Sequence, residues 1–112
     1  MNLYQTQAAR TLADPDDMGR LQTRYLSLVF GLFGEVGEVT ELVKKGIFHK
    51  HGIDVPKLKI EIGDILWYLA GLCTISGLDL DDVMAANIAK LIKRYPKGFC
   101  AKDSMNRKGE EV

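Results

Sequence analysis

The chain has 112 residues, about the size of one domain, and 46% of them are hydrophobic, which is typical of a globular protein. Its 15 basic and 15 acidic side chains balance to a formal charge of zero, which excludes the global field that attracts nucleic acid polymers or anionic membranes. Because no apolar run approaches the ~20 residues that span a bilayer, and the N-terminus is too polar for a signal peptide, we expect one cytoplasmic domain, residues 1–112.

The spacing of apolar residues predicts four helices joined by short polar segments, and no segment shows the alternation of a strand. This pattern is typical of an all-α, antiparallel four-helix bundle. Asn2 and Asp54 are suitable N-caps for the first and third helices, and Gly46 is expected to end the second. The charged tail, about 101–112, is expected to be partly flexible. The four helices are expected at about residues 2–12, 18–45, 55–76 and 80–95.

Two of the predicted helices carry a pair of carboxylates three residues apart, which places each pair on one helix face. Glu35 interrupts an apolar stripe of the second helix, and Glu38 lies on the adjoining row among small residues. Glu61 and Asp64 open a third helix that is apolar nearly all round from residue 65 to 75. Burying an unpaired carboxylate costs on the order of several kcal/mol, so such acids must be paired or must bind metal.

A solvated face or pairing with nearby lysines (Lys44, Lys45 and Lys59) would explain one such acidic pair. Two pairs on consecutive apolar helices favour a hard cation such as Mg²⁺, which carboxylates commonly hold together with substrate phosphates. Tyr68 follows Asp64 by four residues and shares its face, so either core packing or ligand contact could explain it. Three glycines near Glu38 could serve close helix packing or a bound phosphate equally well: Gly31, Gly34 and Gly37.

Other polar residues allow weaker interpretations. Asn87, Lys90 and Arg94 form one stripe of the fourth helix, which could be a solvated basic face or a surface for phosphate. The histidines of the loop, His49 and His51, are more typical of a solvated connector than of a metal site. Three aspartates near Pro15 are typical of a turn, Cys73 of a small buried hydrophobe, and Cys100 of a reduced thiol.

The acidic pairs resemble the E-x-x-E and E-x-x-D hallmark of the MazG-like members of the all-α nucleoside triphosphate pyrophosphohydrolases. The matching segments are Glu35-Val-Gly-Glu38 and Glu61-Ile-Gly-Asp64, within GLFGEVGEV and EIGDILWYL, and the likeness continues through Asn87, Lys90 and Arg94-Tyr95-Pro96. The resemblance implies an enzyme dependent on Mg²⁺, with Mn²⁺ as a substitute. It would hydrolyse (deoxy)nucleoside triphosphates between the α and β phosphates, releasing monophosphate and pyrophosphate, as in cleansing of the nucleotide pool.

The same resemblance implies roles for particular residues. The metal-binding and catalytic residues would be Glu35, Glu38, Glu61 and Asp64, and the substrate-binding residues would be Tyr68, Asn87, Lys90 and Arg94. It also implies a homodimer or homotetramer, in agreement with a third helix more apolar than an isolated bundle requires. Two alternatives remain open. One is a related pyrophosphohydrolase acting on phosphoribosyl-ATP or a deoxyuridine nucleotide, and the other is a non-catalytic helical module that binds a partner.

Overall fold

The computed structural model describes residues 1–13, 20–49 and 52–99. These residues form four α-helices and no strand, which confirms the all-α fold. The expectations for the turn aspartates, His51, Cys100 and the tail at 101–112 concern residues outside the described ranges. The helices are α1 (Leu3–Ala9), α2 (Leu21–Phe48), α3 (Val55–Ile75) and α4 (Leu80–Arg94).

A side chain caps the N-terminus of three of the four described helices, and the caps of α1 and α3 are the ones that the sequence predicts. The Asn2 side chain accepts a hydrogen bond from the Gln5 amide at 2.8 Å, and Asp54 accepts one from the Lys57 amide at 3.1 Å. Asp79 caps α4 by accepting from the Asp81 amide, and its pKa is lowered, first by a hydrogen bond from the N-terminal ammonium group. Each cap satisfies an amide that has no partner within its helix.

The C-terminus of α2 differs from its prediction. Gly46 was expected to end the helix after Lys45, but α2 continues to Phe48 and Gly46 is buried inside it. The connecting loop packs on this glycine, because the Gly52 amide donates to the Gly46 carbonyl at 3.1 Å. A Cβ at position 46 would lie 2.8 Å from the Gly52 carbonyl oxygen. Glycine therefore allows close approach of the loop here, a reason different from helix termination.

The helices α2 and α3 pack against each other as a hairpin, and α1 lies on α3. The most buried contact of the hairpin joins Leu28 of α2 to Gly71 of α3, where a Cβ would meet the leucine side chain at 3.2 Å. Cys73 is buried as predicted, and burial raises the pKa of its thiol. Together with Ala70 and Leu80 it forms a small apolar core that Ala8 of α1 covers.

A buried glutamine of α1 holds the turn between α3 and α4. Gln5 is fully buried, and its Nε2 donates to the Leu78 carbonyl at 2.8 Å and to Thr74 Oγ1 at 3.2 Å. Its Oε1 accepts from the Leu80 amide at 2.8 Å. Without this side chain the Leu80 amide would lose the acceptor that it has in the structure, so Gln5 links the short α1 to the turn.

After its first residue α4 has little packing against the rest of the described chain. Every residue from 81 to 93 is exposed. The radius of gyration is 17.5 Å, whereas about 13 Å is expected for a compact domain of this size. The helix nevertheless has an apolar face, whose exposed members are Val83, Met84, Ile88, Leu91 and Ile92.

The closed antiparallel bundle expected from the sequence is therefore not completed within the described part of one chain, and it remains a prediction for the assembled protein. Exposed aromatic side chains also line α2, where Phe30 and Phe33 are 69% and 81% accessible. Exposed apolar area of this extent is typical of surfaces that bind another chain. Among the described helices, none is both long and apolar enough to cross a membrane.

Candidate active site on the helical hairpin

Three of the four predicted carboxylates meet where α2 and α3 pack. The three-residue spacing puts Glu35 and Glu38 on one face of α2, and hairpin packing brings Glu61 of α3 beside them. One carboxylate oxygen from each of the three residues lies within 4.8 Å of the other two. We call this group the acidic cluster. Its oxygen donors suit a hard divalent cation such as Mg²⁺.

Burial leaves part of this cluster without partners. Glu61 is only 8% exposed, and the Oε2 atoms of Glu61 and Glu35 are buried without a hydrogen-bond partner among the described residues. Buried acceptors are rarely left unsatisfied, because each costs about 1–3 kcal/mol or more when charged. The unpartnered oxygens therefore fit a site that receives a cation.

The electrostatics of the cluster point the same way. The pKa of Glu61 is raised above its ordinary value of 4.5, first by burial, then by a hydrogen bond with Glu38, and then by the negative charges of Glu38, Glu35 and Asp64. All of these effects disfavour the ionised carboxylate. A cation placed among the three groups would remove this repulsion, so cation binding and proton release from Glu61 are coupled.

Asp64 is the predicted ligand that the structure does not bring into the cluster. Its side chain is exposed, and it is not among the three residues whose oxygens lie within 4.8 Å. It is close enough for its charge to contribute to the raised pKa of Glu61. A role for Asp64 as a metal ligand therefore remains a prediction.

Tyr68 lies on the side of the cluster toward the start of α2. A Cβ at Gly31 would lie 2.6 Å from the Tyr68 hydroxyl oxygen, so this glycine makes room for the phenol ring. The ring meets Trp67 edge-on, with centroids 5.0 Å apart. The Trp67 Nε1 in turn donates to Thr11 Oγ1 at 2.7 Å. Substrate contact by the half-buried Tyr68 remains a prediction.

A groove of about 640 Å³ lies on the other side of the cluster, toward the α2–α3 connection. Its lining includes two members of the acidic cluster, Glu38 and Glu61, and two lysines, Lys45 and Lys57. Gly34 and Gly37 lie along the same wall, and a Cβ at either position would meet nothing within 4 Å. These two glycines are thus not explained by close packing within the described chain.

The polar stripe of α4 belongs to neither the acidic cluster nor the groove in the described chain. Asn87 and Lys90 are exposed and Arg94 is half-buried. The residues that line the groove and those that form the cluster include none of the three. Their proposed contacts with substrate remain predictions.

Two lysines line the groove although the sequence analysis did not assign them to the site. Lys57 was not singled out, and Lys45 was considered only as a partner for nearby acids, yet both line the groove. Their spacing could have revealed them. Lys45 follows Glu38 at the interval of two helical turns, and Lys57 precedes Glu61 by one turn, so each shares a face with a clustered acid.

Comparison with known proteins agrees with this geometry. Residues 23–99 match the family model described as the MazG nucleotide pyrophosphohydrolase domain, a range that includes the whole acidic cluster. The Gene 37 protein of Mycobacterium phage L5 is 32% identical to this chain over 112 residues, which covers 96% of this chain and 98% of that protein. No solved structure matches significantly. The chain therefore belongs to the MazG nucleotide pyrophosphohydrolase family.

Proposed function

We propose that this protein hydrolyses (deoxy)nucleoside triphosphates between the α and β phosphates at the acidic cluster, releasing nucleoside monophosphate and pyrophosphate. The observation that supports this most strongly is the meeting of Glu35, Glu38 and Glu61 within 4.8 Å, in a chain of this family. Removal of unwanted triphosphates from the nucleotide pool is the corresponding biological role. The site would act as a hydrolase with water as the second substrate.

The cluster would hold Mg²⁺, or Mn²⁺ in its place, through Glu35, Glu38 and Glu61, with Asp64 as a further acid beside them. The cation would neutralise charge on the phosphates and acidify a water molecule. The unpartnered oxygens of Glu35 and Glu61 support this assignment, since carboxylates without hydrogen-bond donors are free to bind a metal.

The three glutamates would have different roles, which we assign from their exposure. Glu61 is buried and Glu35 is half-buried, so their positions are fixed by packing, which favours binding and orientation. Glu38 is exposed at the mouth of the groove, where water can reach its carboxylate. We therefore assign to Glu38 the acceptance of the proton from the attacking water.

Self-association as a homodimer or homotetramer belongs to the same proposal. The exposed apolar face of α4 and the exposed aromatic rings of α2 supply surface for such an interface. In the assembled protein, the Asn87, Lys90 and Arg94 stripe would contact substrate phosphates. Arginine suits two-pronged phosphate contact and lysine acts as a point charge.

The test is a panel of canonical and modified nucleoside triphosphates, with phosphoribosyl-ATP included, assayed for pyrophosphate release with Mg²⁺ and with EDTA. We expect release of monophosphate and pyrophosphate that stops in EDTA. Release from phosphoribosyl-ATP alone would replace the proposed substrate class. No release from any compound, by folded protein supplied with Mg²⁺, would favour the non-catalytic module.

A further inference from the structure

The groove extends along α2 from Gly34, beside the acidic cluster, to Lys45 and beyond, whereas the aromatic pair packs on Gly31, one turn before the groove begins. Gly31, which contacts Tyr68, precedes the cluster, and Lys45 follows it. At ~1.5 Å per residue the seven residues from Glu38 to Lys45 span about 10 Å of helix. The hairpin thus presents two chemically different regions, with the carboxylates between them.

The groove offers two cations to an incoming phosphate. Lys45 and Lys57 line it, and neither forms an ion pair with a described residue. Its one ring is the imidazole of His49, and the larger rings of the hairpin, Trp67 and Tyr68, lie outside it. Phosphates bind to cations, whereas bases are commonly bound by stacking on rings. Four carboxylates also line the groove, so a bound cation would be needed to offset their charge: Glu38, Glu41, Asp54 and Glu61.

The unpartnered carboxylate oxygen of Glu61 indicates that the groove borders a cation site. This side chain lines the groove while more than nine-tenths buried, and its Oε2 has no partner among the described residues. The carboxylate of Asp54, which also lines the groove, is already engaged by the Lys57 amide. The two lysine ammonium groups form no ion pair with a described residue and can receive an incoming anion.

We propose that the substrate lies along α2 with its pyrophosphate end in the groove, where Lys45 and Lys57 contact the β and γ phosphates, and with its nucleoside on the Tyr68 side. This inference rests on the proposed function. It assigns two phosphate-binding residues within the hairpin and gives the nucleotide a direction. The bond to be cleaved would then lie over the acidic cluster.

The test is equilibrium binding of two probes by titration calorimetry in the presence of Mg²⁺. One probe is inorganic pyrophosphate, and the other is the nucleoside monophosphate released from the best substrate of the panel. Lys45→Gln and Lys57→Gln should each raise the Kd for pyrophosphate about tenfold, or ~1.4 kcal/mol, and leave the Kd for monophosphate within about twofold. Tyr68→Leu should do the reverse.

Matched controls come from neighbouring lysines that do not line the groove. Lys44→Gln and Lys59→Gln remove one exposed charge from the same two helices, and neither should change binding of either probe. Lys45→Arg and Lys57→Arg, which keep the charge, should restore most of the pyrophosphate affinity. Thermal unfolding would establish that each variant is folded, and the exposure of the lysines makes unfolding unexpected.

Two results would overturn the inference. One is pyrophosphate binding that is unchanged in both groove variants. The other is loss of monophosphate binding in those variants with pyrophosphate binding retained, which would reverse the direction of the substrate. If the wild-type protein binds pyrophosphate through Lys45 and Lys57 but hydrolyses no triphosphate, the proposed function fails while the groove assignment stands.

Discussion

The α2–α3 hairpin and the last helix, α4, both carry polar motifs. Only in the hairpin does packing within the described chain bring such residues from two helices together. The hairpin packs Leu28 against Gly71 and thereby brings carboxylates from two helices within 4.8 Å. In α4 the residues from 81 to 93 are all exposed, and they include Asn87 and Lys90 of its polar stripe and all of its apolar face. The acidic cluster therefore forms by packing within one chain, whereas the apolar face of α4 is left uncovered in the described chain.

The largest expected effect concerns the hairpin. Glu38→Gln should lower turnover by ~100-fold or more, because the variant keeps the shape of the side chain but removes a charge and a proton acceptor. Steady-state kinetics with the preferred triphosphate would measure it. Asp82→Asn, at an exposed acid of α4 outside both the acidic cluster and the groove, is the control and should retain activity within severalfold. Equal activity of the two variants would contradict the site.

The next prediction concerns α4. Ile88→Asp combined with Ile92→Asp places two charges on the exposed apolar face of this helix. If the face covers another copy, the variant should be monomeric by light scattering at concentrations where the wild type is oligomeric, because burying two unpaired carboxylates is costly. Lys93→Glu, on the other side of the helix, should leave the assembly intact. A wild-type protein that is itself monomeric would refute the prediction.

A third prediction separates two glycines of α2 that look equivalent in sequence. Gly31→Ala forces a methyl group against the Tyr68 ring and should lower the free energy of unfolding by ~1–3 kcal/mol. Gly34→Ala meets no atom within 4 Å and should raise it by ~0.5–1 kcal/mol, since alanine is the better helix former. Urea unfolding would measure both. The same sign for both substitutions would show that the close approach of Tyr68 is not maintained.

The smallest effect is a dependence of stability on pH. The pKa of Glu61 is raised in the folded state, so its protonated form is favoured there, and the associated stability is present below its ordinary value of 4.5. That stability should be lost as pH rises through the raised pKa. In EDTA, the Tm should fall over this range in the wild type, and Glu61→Gln should show a flatter profile. Mg²⁺ should restore the Tm at neutral pH, because a bound cation favours the ionised carboxylate.

Much of the fold could be predicted because its determinants are local. Asn2 and Asp54 cap helices through contacts within one turn, and apolar spacing identified all four helices. The family resemblance carried by the acidic pairs is confirmed. Gly46 was misinterpreted because its neighbour, the loop at Gly52, is brought close only by the folded connection. A short-range pattern could not distinguish close approach from helix termination.

The sequence predicted which residue types form the site better than it predicted where each side chain lies. The convergence of Glu35, Glu38 and Glu61 follows from two helical spacings and one hairpin, whereas the exposed position of Asp64 depends on how far α3 rotates against α2. Gln5 was missed because the three hydrogen bonds of its side chain join residues distant in sequence. The exposure of α4 could not be foreseen, since an amphipathic pattern does not indicate which chain covers it.

Three carboxylates of the hairpin form the proposed cation site, and Mn²⁺ binding without nucleotide tests this site most directly. The electron paramagnetic resonance signal of free Mn²⁺ would be followed during titration of wild type, Glu61→Gln and Glu41→Gln. We expect the wild type and Glu41→Gln to bind alike and Glu61→Gln to bind at least about tenfold more weakly. Equal binding by all three proteins would contradict a metal site at the acidic cluster.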